Sequence, residues 1–183
     1  FGPRALGARS ILADPRGAGM RRRINAQVKG REGFRPFAPA VLAERCEAWF
    51  DLAAPSPFMS FVVEVRGADV AAARDLVASP LPAVTHVDGT ARVQTVGPDG
   101  PTELRAILEA FEALTGCPVL LNTSFNRADE PIVATADDAL SCFAATDIDH
   151  LLLGECLLDR SARPEGWPSP AAGTTERGRP PLR

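Results

Sequence analysis

Lysine is almost absent from this 183-residue chain: of its 20 basic residues all but Lys29 are arginine. Arginine is a flat fork of five donors, lysine a compact point charge, and the two are not interchangeable. An ammonium that persists in an arginine background marks a position where a guanidinium will not serve, unless chance replacement simply left one behind. Histidine is nearly as scarce, with 2, and the 4 cysteines (Cys46, Cys117, Cys142, Cys156) are widely spaced without a C-x-x-C. That pattern argues against a zinc site, leaves no metal ligands to nominate, and predicts buried, reduced thiols in a cytoplasmic protein. No apolar run approaches the roughly 18 residues of a membrane span, and no signal peptide is visible. The formal net charge of −3 speaks against a nucleic-acid-coating surface. Neither G-x-x-x-x-G-K-[ST] nor G-x-G-x-x-G occurs, so there is no P-loop and no dinucleotide fingerprint.

What is present is enough apolar sequence, 45%, for one sizeable core in one domain. The chain opens at Phe1 directly into the motif Gly2-Pro3-Arg4-Ala5-Leu6-Gly7-Ala8-Arg9-Ser10, which reads as the C-terminal portion of something longer, with 1–16 as a connecting segment. Beyond Arg160, Pro, Gly, Ser, Thr and Arg dominate, predicting a disordered tail over 161–183. Between them strands and helices alternate. A short basic helix is predicted over 18–28, a strand over 38–42, a helix carrying Trp49 and Phe50, a strand over 58–65 and a helix over 68–77. A hairpin is predicted over 84–96 around Asp88-Gly89, with Arg92 and Gln94 on a wet face. The clearest helix runs from Thr102 to Leu114 behind an apolar stripe of Leu104, Ile107, Leu108, Phe111 and Leu114, stopped by Gly116. A buried strand over 118–121, a capping box at Thr135–Asp138 opening a helix through Phe143, and strands over 150–153 and 156–158 complete an α/β (α+β) chain around one mixed sheet.

Three segments carry candidate chemistry. Lys29, Arg31 and Arg35 place three cations within seven residues, among Gly30, Gly33 and Pro36, as in the floor of an anion site; a solvated basic run is the plainer alternative. Thr85 to Gln94 is dense in donors, with His86 and Asp88 two apart; a hydrogen-bonded structural histidine explains His86 equally well. Asn122-Thr123-Ser124-Phe125-Asn126-Arg127 follows the buried strand, where open α/β sheets bind ligands, although Asn and Ser also cap turns. Fixed cations from the first segment and neutral donors from the third suit a phosphate or carboxyl-phosphate.

The run Gly2–Leu12, the stretch Phe34-Arg35-Pro36-Phe37-Ala38-Pro39, His86-Val87-Asp88-Gly89-Thr90-Ala91-Arg92 and Asn122–Asn126 together resemble the C-terminal domain of the O-carbamoyltransferases of nodulation-factor and antibiotic biosynthesis. The resemblance covers Phe1 to about Arg160. It implies a YrdC-like twisted mixed sheet flanked by helices, with the domain over 17–160. It also implies a Lys-x-Arg and a Ser-x-Asn pair at the site, here Lys29-Gly30-Arg31 and Ser124-Phe125-Asn126. Lys29, Arg35 and Ser124 would hold carbamoyl phosphate. Arg4, Arg31, His86, Arg92, Asn122 and Asn126 would serve the nucleotide, Arg92 at its phosphate. The implied reaction makes carbamoyl-adenylate from ATP, with Mg2+ carried by ATP. An N-terminal partner domain of the actin and sugar-kinase type, with its own metal site, then passes the carbamoyl group to an acceptor hydroxyl. The resemblance leaves two alternatives: a threonylcarbamoyl-AMP synthase-like enzyme, against which the Gly-Pro-Arg-Ala-Leu-Gly opening argues, and a non-catalytic nucleotide- or RNA-binding module. Asp129 stands where a glycine is expected before Glu130-Pro131.

Overall fold

The computed structural model describes residues 5–70, 78–128 and 130–162. Arg4, residues 71–77 of the predicted helix, Asp129 and all but the first two residues of the predicted tail lie outside them. The chain divides into two compact units, Phe1–Ile132 and Val133–Arg183.

In the first unit, β1 is Ser10–Ala13, α1 is Met20–Ile24, β2 is Ala38–Leu42 and α2 is Cys46–Trp49; β3 is Phe61–Glu64, β4 is Thr90–Val96, α3 is Thr102–Thr115 and β5 is Val119–Ser124. The strands form one five-stranded sheet in the order β1-β5-β2-β4-β3. Antiparallel pairing joins β5 to β1 and β2, and β4 to β3, whereas β2 and β4 run parallel. This is a mixed α/β fold, a twisted sheet flanked by helices. Central β2 is buried at all five positions, which explains why it reads as a continuous apolar run rather than an alternating one.

α3 packs Leu104 and Leu108 onto Ala40, Leu42, Val96 and Leu120, with Leu12 and Phe111 at the margin. The predicted stripe is narrower than its sequence suggests: Ile107 is 36% and Leu114 85% exposed. At 100° per residue both lie to one side of the Leu104–Leu108–Phe111 line and miss the sheet. Gly116 ends the helix with φ +72, as a left-handed C-cap should.

Three strand expectations change in this unit. The 84–96 hairpin keeps its tight turn, with His86 N–H donating to Thr90 O at 2.7 Å, but has no first arm. β4 is already paired on both edges, and Val84 and Thr85 both turn back to donate to Leu81 O. The strand over 58–65 shortens to β3, an edge strand with Phe61 and Val62 about half exposed. The strand over 118–121 extends to Ser124, so Asn122 and Ser124 stand within β5 rather than on a loop after it.

The second unit holds α4, Ala136–Ala144, and a separate two-stranded sheet of β6, His150–Leu153, and β7, Cys156–Asp159. The sheet is therefore not single. The capping box is present: Thr135 Oγ1 accepts Asp138 N–H at 3.1 Å, and Asp138 Oδ2 accepts Thr135 N–H at 3.0 Å. Gly154, at φ +59, turns the hairpin. Arg160 ties this unit together by donating to Ile148 O and Phe143 O at 2.7 Å, its guanidinium over the Phe143 ring. All four cysteines are free; Cys46, Cys117 and Cys142 are buried, but Cys156 is exposed, a correction to the expectation of buried thiols throughout. No helix among the described residues is long and apolar enough to cross a membrane.

Candidate functional site

The basic helix predicted over 18–28 is built in two pieces. α1 continues into a π-helical turn, Asn25–Lys29, which closes on Gly30 at φ +52. A π turn widens the helix and is a frequent feature of functional sites. Arg21, Ile24, Asn25, Val28 and Lys29 are its buried residues. Their i, i+3, i+4, i+7, i+8 spacing is an inward face, but three of the five are polar. Buried polar groups need partners, and the partners found define the site.

Lys29 is buried, at 7% exposure. It donates to Ser124 O at 2.5 Å, Asn126 O at 2.9 Å and Asn126 Oδ1 at 3.0 Å, with Ser124 Oγ at 3.4 Å. Ser124 Oγ donates to Asn126 Oδ1 at 2.6 Å. Asn126 Nδ2 in turn donates to Arg127 O at 2.7 Å and Glu130 O at 3.1 Å. Thus Lys29, Ser124 and Asn126 meet in one network, and the end of β5 is fastened to the π turn. An ammonium can direct three N–H bonds from one nitrogen to three separate oxygens in this way; a planar fork cannot.

Arg31 lies beside this junction in sequence but is held differently. Its Nε–H donates to Asn25 Oδ1 at 2.7 Å, and its guanidinium carbon sits 4.8 Å from the Phe37 ring centroid. Burial, and then Arg35, push the Arg31 pKa down, while Glu32 opposes this. A cation held in that condition favours an anionic ligand. Arg35 is exposed and 3.7 Å from Glu32 Oε2; its backbone carbonyl is what the cluster uses, accepting from Asn25 Nδ2 at 2.9 Å.

Asn122 is 1% exposed on β5, two residues before Ser124. Its Nδ2 donates to Gln94 Oε1 at 2.7 Å, so Gln94 faces a buried amide, not a wet surface as its sequence pattern suggested. Asn122 Oδ1 is buried without a partner, as is Arg21 Nε. The His86 segment is tied to α1 through Arg21, whose Nη1 donates to Thr85 O at 3.4 Å. His86 Nδ1 is 3.1 Å from Thr90 Oγ1, which donates to Asp88 Oδ1 at 2.6 Å. The His86 pKa is lowered by burial, with Asp88 raising it and Arg92 lowering it. That is the pattern of a hydrogen-bonded, neutral histidine. Arg92, exposed on β4 opposite Val62, shares no hydrogen bond with the Lys29 network. Among the described residues no group of three His, Cys, Asp or Glu side chains is placed to hold a metal ion.

Sequence reasoning missed Asn25, Phe37 and Arg21. Asn25 stands four residues before Lys29, one turn away on the same face, and that spacing was its only available signal.

A family profile described as "Carbamoyltransferase C-terminus" matches residues 1–160. The chain belongs to this carbamoyltransferase family. It is 52% identical over 171 residues to the nodulation protein NolNO of Sinorhizobium fredii, covering 91% of this chain and 24% of that protein. It is 48% identical over 176 residues to the nodulation protein NolO of Bradyrhizobium diazoefficiens, covering 94% and 31%. Identity is 38% over 161 residues to the 3'-hydroxymethylcephem-O-carbamoyltransferase of Amycolatopsis lactamdurans, covering 88% and 29%. The chain thus spans less than a third of the length of these carbamoyltransferase-family relatives.

Proposed function

We propose that this chain is the carbamoyl-adenylate-forming, YrdC-like domain of a cytoplasmic O-carbamoyltransferase, spanning about 17–160. Its substrates are ATP, entering with Mg2+ on its phosphates, and carbamoyl phosphate. Carbamate forms as carbamoyl phosphate loses its phosphoryl group to water. A carbamate oxygen then attacks the α-phosphorus of ATP, the bond to the β-phosphate oxygen breaks, and pyrophosphate leaves. Such steps are mostly positioning and charge neutralisation, which fits a site of arginines, amides and hydroxyls without a nucleophile. Arg31, steadied by Asn25 and Phe37, presents its terminal amino groups to the phosphates. Lys29 fixes Ser124 and Asn126 so that their polar groups orient the carbamoyl end, and Arg35 adds charge from the loop. Arg92, His86, Asn122 and Arg4 serve the nucleotide side. A partner domain of the actin and sugar-kinase type delivers the carbamoyl group to an acceptor hydroxyl.

The observation that carries this reading is the meeting of the Lys29-x-Arg31 and Ser124-x-Asn126 runs across a separation of 95 residues. Its test is ATP–pyrophosphate exchange by the intact protein. Exchange should require carbamoyl phosphate, be unmoved by threonine, and be lost in Lys29→Ala and Ser124→Ala. Exchange supported by threonine and bicarbonate instead would replace carbamoyl transfer with threonylcarbamoyl-adenylate synthesis. Binding of ATP with no turnover would reduce the domain to a binding module.

A further inference from the structure

Asn25 is fully buried, at 0% exposure, in the middle of the inward face of the helical run 20–29. Its amide does two things at once. Oδ1 accepts the Arg31 Nε–H at 2.7 Å, while Nδ2 donates to Arg35 O at 2.9 Å and Gly33 O at 3.4 Å. The orientation of the amide is fixed by its neighbours: turned over, it would set an NH2 against the arginine N–H and an oxygen against two carbonyls. Its backbone joins in, since Arg31 N–H donates to Asn25 O at 3.1 Å. One side chain therefore closes the loop from Gly30 to Arg35 and sets the rotation of a guanidinium.

Arg31 is pinned at two points. Nε is held by Asn25, and the flat of the guanidinium lies over Phe37. Among the described residues the terminal amino groups make no hydrogen bond, and no carboxylate pairs with them. A guanidinium fixed by Nε and by its face, with its fork left over, is arranged for bidentate capture of a phosphate oxygen pair. Ordering such a long side chain in advance removes an entropy cost that binding would otherwise bear.

The geometry points to Asn25 as the positioning residue of this site: it sets the Arg31 fork toward a polyphosphate anion and fixes the course of the 30–35 loop. Only the identity of the anion, the phosphates of a nucleotide, rests on the adenylating function proposed above.

The test is a double-mutant cycle on the affinity of the intact protein for inorganic pyrophosphate, measured by calorimetry. Arg31→Ala and Asn25→Ala should each weaken binding by roughly tenfold or more. In the Arg31→Ala background, Asn25→Ala should change it by less than about twofold, because its effect runs through Arg31. Equal factors in both backgrounds would overturn the proposal. A second readout is the Arg31 Nε–Hε correlation in 1H–15N spectra. It should be a discrete, slowly exchanging signal in the wild type and in Asn25→Asp, which keeps the acceptor, and averaged in Asn25→Ala. A lost signal in Asn25→Asp, or a retained one in Asn25→Ala, counts against the proposal. If Asn25→Ala does not fold, Asn25→Asp still decides. Should the wild type bind no pyrophosphate while its Arg31 signal depends on Asn25, the nucleotide reading falls and the positioning role stands.

Discussion

Lys29→Arg is conservative in charge and should nevertheless be damaging. Lys29 is 7% exposed, and its ammonium donates to Ser124 O, Asn126 O and Asn126 Oδ1. A guanidinium is longer and flat, so it cannot converge on oxygens from two residues of one tight turn. Losing one charge-assisted bond costs about 1.5–3 kcal/mol, and forcing extra volume into a packed position about 1–3 kcal/mol. Partial relaxation brings the expected total to about 3 kcal/mol, or a melting temperature lower by about 6–12 °C for a chain of this size. Lys29→Met is the companion. It leaves the same oxygens short of donors but removes a buried charge whose desolvation cost several kcal/mol, so its loss should be smaller than that of Lys29→Arg. Thermal unfolding followed by circular dichroism reads stability, and pyrophosphate exchange reads function. If Lys29→Arg melts with the wild type and exchanges at the wild-type rate, the point-charge argument is wrong. If it melts normally but does not exchange, the ammonium serves a ligand more than it serves β5.

Gly7 of the opening motif has φ +92, and a Cβ there would lie 2.7 Å from Leu104 Cβ and Cδ2; since Leu104 is buried against the sheet, Gly7→Ala should lower stability by about 1–3 kcal/mol in urea unfolding. Thr135→Ala removes one arm of the α4 capping box and should cost about 1 kcal/mol. The backbone N–H groups of Ala134 and Thr135 and the Thr135 hydroxyl hold the Asp138 carboxyl below its ordinary value. Its contribution is therefore complete above the unfolded pKa of about 4 and lost as pH falls through the lower folded value; Asp138→Asn should flatten that acid limb. His86 has the opposite chemistry with the same slope: burial lowers its pKa, so the unfolded chain takes up the proton first. Stability should fall as pH drops below about 6.5 and level off beneath the folded value, a limb that His86→Gln removes.

The elements easiest to read from sequence were those whose local chemistry already settles their conformation. α3 has a long apolar stripe and a left-handed glycine stop, and α4 has a reciprocal cap, so both were legible. What failed depended on sheet order. Val84 is as β-prone as Val93, but β4 has neighbours on both edges, and nothing local to 84–96 reveals that. β1 was passed over for a related reason: four residues, Ser10 to Ala13, carry too little alternation to mark an edge strand, and only pairing with β5 makes them one. Of the site, the cations and the Asn-Ser-Asn run were visible as unusual composition. Their meeting was legible only through the family resemblance, because a contact spanning 95 residues leaves no periodicity. Asn25 was invisible for the converse reason, since an asparagine inside a basic helix looks like ordinary surface until its face is known.

Lys29 and Arg31, two residues apart, show why a count of charges is a poor guide to an anion site. Lys29 spends its donors on protein oxygens, so in the proposed site its charge would reach a ligand chiefly as a field, through Ser124 and Asn126. Arg31 spends one N–H on Asn25 and its face on Phe37, and keeps its fork. The first should therefore be intolerant of any substitution that changes the shape of its donor set. The second should depend more on whatever holds it still. On this argument Arg31→Lys weakens pyrophosphate binding by loss of the bidentate pair while leaving the melting temperature nearly unchanged, whereas Lys29→Arg lowers both. A pair of variants that failed in the reverse order would exchange the roles assigned to the two cations.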